Sequence, residues 1–271
     1  MSFDIQPDYA TPTATVYREF ARTVLKHGDM RILSDAGKNN HSIAGLPSSA
    51  PDWTAWSYKP FVSVSVYRAC GARKKIQLVS SPTNPNTVYI MGGIVDTVQF
   101  VSKSPPREKR SPLKRVVNAE FQRRALVERL DIYPTGEDIF EAYWRTLLYD
   151  RVEDSNGLAV KAPPEYGGYY PEVLRASTGR SLRSASHGLT TAPFIYDVEA
   201  GEQFCVTQNG YMGNAPRSTL PGDKICVLYG ARVPFVLREE GASYRIIGDC
   251  YIHGLMDGEA FQLKHWREEM I

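Results

Sequence analysis

The chain has 271 residues, 42% hydrophobic and 23% charged, the composition of an ordinary globular protein long enough to bury a sizeable core. Its 32 basic residues balance 30 acidic ones, so it lacks the charge footprint that nucleic-acid phosphates or anionic bilayers select. No run of about 18 apolar residues occurs, and the N-terminal MSFDIQPDYATPT carries neither a basic nor an apolar signal region. The expectation is a cytoplasmic protein with no nucleic-acid and no membrane partner.

Val16, Phe20, Val24 and Leu25 repeat at helical spacing and predict a helix over 15–27, capped by Thr13 or Thr15 and ended by Gly28. The segment LPSSAPDWTAW follows, held extended by Pro47 and Pro51, with Trp53 and Trp56 offering large surfaces to bury. From Phe61 the runs FVSVSVYR, KKIQLVS and TVYIMGGIVDTVQFVS read as a small antiparallel sheet broken at Gly92 and Gly93. Six basic residues and three prolines between Lys103 and Arg115 then make either an anion-binding loop or a solvated connector.

Two helices are predicted over 116–130 and 137–150, the second opened by PTGED, whose acidic residues suit a helix N-terminus. After a polar stretch, strand-like runs separated by Gly and Asp-Gly turns fill the chain from 191 to 261. The predicted class is α+β: an antiparallel, β-rich, barrel-like lobe with a few packed helices. The organisation is one domain over 1–271, made of a helix plus small sheet (15–102), a basic linker (103–115), helices (116–150) and a β-rich lobe (191–261). No period of 20–50 residues repeats, which sets solenoids and propellers aside.

The four cysteines, Cys70, Cys205, Cys226 and Cys250, have no CxxC spacing and read as buried free thiols. Cys250 lies three residues from His253, an odd offset that points the two to opposite faces of a strand. Asp249, Tyr251, His253, Asp257 and Glu259 crowd into eleven residues, and positions 249, 251 and 253 share a strand face. That face either lines a pocket, with Tyr251 and His253 donating to a ligand carbonyl, or forms a satisfied network, with His253 on a backbone carbonyl and Glu259 paired to Arg145 or Arg238. His253, Asp257 and Glu259 have no second histidine nearby, so no metal site is expected.

The string from Gln208 to Phe261, QNGYMGNAPRSTLPGDKICVLYGARVPFVLREEGASYRIIGDCYIHGLMDGEAF, resembles the closing block of fungal heterokaryon-incompatibility (HET) proteins. The correspondence runs through Gly210 to Gly213, Pro221 to Leu228, Val233 to Arg238 and Gly248 to Glu259. Upstream, LPSSAPDWTAW and EAYWRTLLYDR are similar to two further blocks of that family, with Ser49 standing where the family usually has Trp. The family's N-terminal signalling signature, Tyr-(Val/Ala)-Leu-Ser-Tyr-Xaa-Trp-Gly, is not found. The resemblance credits that half with triggering cell death, so this chain is expected not to trigger it.

Nucleotide, metalloprotease and nucleophile-elbow motifs are missing, which leaves two classes of function. One is a cofactor-independent small-molecule cyclase of fungal secondary metabolism, a pericyclase of Diels–Alder type. It is suggested by the similarity of stand-alone HET-like proteins to the norbornene-forming cyclases of terpenoid pathways. Folding a substrate and donating a hydrogen bond to its activating carbonyl would suffice. Tyr251, His253 and Arg145 are the candidate catalytic residues, and Trp56, Tyr143, Trp144, Tyr211, Asp257 and Glu259 the candidate binding residues for a hydrophobic small-molecule substrate; no cofactor is expected. The other is a non-enzymatic HET-like binding or regulatory module.

Overall fold

The computed structural model describes residues 10–37, 43–54, 66–71, 75–102, 112–168 and 202–271. Trp56, most of the strand-like run 61–68, the basic segment 103–111 and the stretch 169–201 lie outside the described residues.

Helix α1, Thr13–Lys26, turns Ala21, Val24 and Leu25 into the core. It starts ahead of the predicted 15 because the Pro12 carbonyl accepts from the amides of Thr15 and Val16. The chain leaves it through Gly28, at φ +86°, and forms a short second helix, α2, Ile32–Asp35. Strands β1, Leu78–Ser80, and β2, Val88–Val101, come next. Helices α3, Pro112–Val127, and α4, Ile139–Leu147, follow. A hairpin of β3, Arg151–Glu153, and β4, Ala159–Lys161, leads to a 3-10 turn at Pro164–Gly168. The last third is strands: β5 Glu202–Thr207, β6 Met212–Pro216, β7 Lys224–Leu228, β8 Phe235–Glu240, β9 Ser243–Asp249, β10 Tyr251–Ile252 and β11 Glu269–Met270.

Nine of these strands form one antiparallel sheet in the order β10-β6-β5-β2-β7-β8-β9, with β1 and β11 also bound to β2. The α+β class predicted from the sequence is observed. The small separate sheet expected within 15–102 is not, because β2 is the middle strand of the large one. Gly92 and Gly93 do not break β2. A side chain at Gly92 would lie 2.6 Å from the Val227 carbonyl, and one at Gly93 would lie 2.5 Å from that of Arg267, so the pair lets neighbouring backbone approach closely. The sheet also reaches beyond the predicted limit of 261, since β11 closes onto Met91 and Gly92.

A barrel-like lobe was expected, but the ladder does not close. Its two ends, β9 and β10, are consecutive in the chain and separated only by Cys250. Up to Asp249 the strand pairs with β8, and the Cys250 amide still donates to Pro234. From Tyr251 it pairs with β6, Tyr251 opposite Asn214 and Ile252 opposite Gly213. One strand therefore serves both ends of the path and changes partner at Cys250.

Apolar residues sort accordingly. The α1 and α2 residues Leu25, Ile32 and Leu33 pack on Leu228, Phe235 and Leu237. Val98, Cys205, Ile225, Val236 and Ile252 fill the middle of the sheet, and α4 packs Tyr143, Trp144 and Leu147 on Phe204 and Met212. All four cysteines are buried and free, as predicted. Burial pushes the Cys205 thiol up to about 12 and Cys250 well above the usual thiol range, so they are unreactive hydrophobes. No described helix is long and apolar enough to cross a membrane.

Gly213 sits where β6 meets the switched strand; a methyl there would fall on the Tyr251 carbonyl and within 2.5 Å of the Ile252 side chain. Gly213→Ala should lower stability by about 1–3 kcal/mol, the usual range for overpacking, measured by urea denaturation. The same substitution at Gly222, which has open space around it but a φ of +97°, should cost only the smaller strain of that backbone conformation, about 1 kcal/mol.

Candidate functional site

Polar residues gather where the switched strand passes the loop before α4. Tyr251, at the start of β10, and His253, in the turn just past its end, face the same side, and the Tyr251 hydroxyl lies 2.7 Å from His253 Nδ1. His253 Nε2 lies 2.7 Å from Glu137 Oε1, which also accepts from the Thr135 hydroxyl at 2.9 Å. Burial pushes the Tyr251 phenol well above its ordinary range, so it keeps its proton and donates to Nδ1. Nε2–H then donates to Glu137. The expected bond from His253 to a backbone carbonyl is not what forms, since both ring nitrogens are on side chains; a carbonyl contact exists in the opposite sense, from the Tyr133 hydroxyl to the His253 carbonyl at 2.8 Å.

This relay is enclosed at its Tyr251 and His253 end, while Glu137 reaches solvent. Tyr251 is 2% exposed, and Tyr67 and Tyr149 meet its ring edge-on at 5.9 and 5.8 Å. Tyr67 donates to the Tyr149 carbonyl at 2.5 Å, and Tyr149 to Glu202 at 2.7 Å. Tyr149 and Asp150 both have positive φ, 57° and 47°, a conformation that costs non-glycine residues energy and persists only where surroundings hold it. Here the holding group is Arg145. It pairs with Asp150, donates to the Ala162 carbonyl at 2.7 Å and binds Glu141 at 2.7 Å, while its guanidinium lies 4.5 Å from the centre of the Trp144 ring.

The candidate residues divide as follows. Tyr251 and His253 are brought together, and Arg145 stands in the adjoining ion-pair cluster. Asp257 pairs with Lys161, and its backbone amide donates to Glu259 at 2.6 Å. The expected pairing of Glu259 with Arg145 or Arg238 is corrected: Arg145 is taken by α4 and Asp150, and Arg238 by Asp223 at 2.8 Å. Tyr143 and Trp144 lie in one apolar cluster, Tyr211 in a second and Tyr251 in a third. Tyr143 is tied to buried Glu120 at 2.8 Å, and the Trp144 indole to Glu141 at 2.8 Å. Trp56 lies outside the described residues. Among the described residues no group of three or more His, Cys, Asp or Glu side chains is placed to hold a metal ion.

Glu137, Tyr133, Tyr67 and Tyr149 belong to this cluster and were not singled out in the sequence. Glu137 reads locally as helix-start acid; yet α4 begins at Ile139 with Asp138 as its cap, accepting from the amides of Phe140 and Glu141, which frees Glu137 to face a histidine 116 positions away. No local pattern signals that meeting.

Residues 165–270 match the family model of the Het-6 beta-barrel domain. Over a longer stretch the chain is similar to heterokaryon incompatibility protein 6, OR allele, of Neurospora crassa. The two are 25% identical over 316 residues, covering 94% of this chain and 46% of that protein. The chain thus spans about half the length of the curated relative it matches. No solved structure matches it.

Burial pushes the Glu137 carboxyl up, but the hydrogen bonds it accepts from His253 and the Thr135 hydroxyl, with the attraction of Arg145, outweigh burial and hold it below the ordinary 4.5. A depressed carboxylate contributes stability that is present above about pH 4.5 and is lost as pH falls through its lower folded-state value. Glu137→Gln removes that titration. The variant should lose less stability than the parent between pH 4.5 and 3, measured as melting temperature against pH.

Proposed function

We propose that the chain is a non-enzymatic recognition or regulatory module of the heterokaryon-incompatibility type, acting by binding a protein partner. The observation that carries this reading is the way the polar residues of the Gly248 to Glu259 segment are used. Tyr251, His253 and Glu137 bond to one another, and Asp257 is tied to Lys161. These groups fix the end of a strand and the entry to a helix, which is what a scaffold presenting a surface requires. The similarity to an incompatibility protein over nearly the whole chain points the same way.

The test co-expresses the tagged chain with full-length heterokaryon incompatibility protein 6 and asks for co-precipitation, with hyphal fusion scored in parallel. A retained complex and an altered fusion outcome are expected. In the same series the pure chain is incubated with a linear diene aldehyde. No complex, together with enantioenriched cyclised product whose formation Tyr251→Phe slows by about a hundredfold, would replace this reading with the cyclase.

A further inference from the structure

Away from the His253 relay, a cavity of about 300 Å³ opens between the segment around Ser48, the start of β2, the β8–β9 hairpin and the C-terminal strand. Its floor is aliphatic. Leu46, Ile90, Leu228, Leu237 and Ile246 all line it, and each is no more than 8% exposed. Its rim is polar, and the two charged side chains on it, Arg245 and Glu240, pair at 2.5 Å. Tyr89 and Tyr244 stand at the mouth, 40% and 37% exposed.

Two rim residues are oriented by the fold. The Asn84 side-chain oxygen accepts from the Asn86 backbone amide at 2.9 Å. The Asn86 side-chain oxygen accepts from Arg18 of α1 at 3.2 Å. Both carboxamides thus have their acceptor ends occupied, and each Nδ2 donor makes no hydrogen bond to another described residue. Both residues line the cavity and stand exposed at its rim, where their amide donors are available to a ligand lying on the apolar floor.

We propose that this cavity is a binding site for a compact, uncharged, apolar small molecule bearing one hydrogen-bond acceptor, a ketone or similar carbonyl compound. Its size sets the scale. An aliphatic cavity of about 150 Å³ takes up benzene, and small-molecule sites begin at roughly 300 Å³, so the occupant has about ten to fifteen heavy atoms. The floor excludes a charged body, since nothing there could pair with it. The donor amides select a carbonyl over the corresponding hydrocarbon. The site shares no residue with the Tyr251, His253 and Glu137 relay and does not depend on the protein-binding role proposed above.

The test uses the intact chain with methyl-labelled leucine and isoleucine, titrated with camphor, carvone and benzophenone and with bornane as the hydrocarbon control. Expected are saturable methyl shifts confined to Leu46, Ile90, Leu228, Leu237, Ile246 and Ile271, with a Kd below about 1 mM for at least one of the ketones and weaker binding of bornane. Ser49→Trp, on the cavity wall, should weaken binding at least tenfold. Asn86→Asp keeps the acceptor for Arg18 and deletes the donor, so it should weaken ketone binding about fivefold even if Ser49→Trp fails to fold. No saturable shift with any of the three ketones overturns the proposal, as does binding that Asn86→Asp leaves unchanged or shifts that map elsewhere.

Discussion

The partner change at Cys250 constrains the rest of the molecule. A strand that pairs with β8 on one side and then with β6 must carry its backbone from one end of the sheet path to the other within a single residue. Gly248, at φ 146°, and the register shift between Val236 and Leu237 supply the bend, as bulges do where strands turn corners. Cys250 itself is 1% exposed and packs against the sheet interior, so the switch point is anchored by burial, with no charge or polar bond from its side chain.

The polar relay follows from that bend. Once the strand has moved to β6, Tyr251 and His253 face the loop before α4, where their hydroxyl and ring nitrogens need partners in a water-poor space. Tyr67, Tyr133, Tyr149, Thr135 and Glu137 surround them. Helix α4 is locked to the same region by the Asn214 amide, which donates to the Thr146 carbonyl at 2.7 Å, and by Arg145, which holds the two positive-φ residues after the helix. Strand bend, relay and helix exit are one connected arrangement. A loss at any of them should couple non-additively to the others.

Much of the scaffold was legible in the sequence because its signals are local. Helical spacing in 16–25, the aromatic helix around Trp144 and the alternation from Glu202 onward each depend only on neighbours. The side-chain parity of Tyr251 and His253 was readable for the same reason. What could not be read is pairing across distance. Gly92 and Gly93 look like a strand break until Val227 and Arg267 are seen lying against them. Glu259 looked like a partner for Arg145, but its carboxylate is used two residues away by the Asp257 amide. Of the aromatic residues expected around one pocket, Tyr143, Trp144, Tyr211 and Tyr251 are each buried, in three different apolar clusters. The cavity beneath Ser48 has walls from five separate stretches of chain and left no trace in any one of them.

The central position of β2 also bears on the order of events during synthesis. Leaving the ribosome early, it finds β1 beside it, but every other neighbour, β5, β7 and β11, comes from the last third of the chain. Until those strands emerge, a fourteen-residue apolar strand waits with most of its edges unpaired, a template for contact with other nascent chains. Such long-range pairing makes folding slow. For this fold, the wait between translating residue 101 and residue 270 is the interval in which a cell has most reason to shield it.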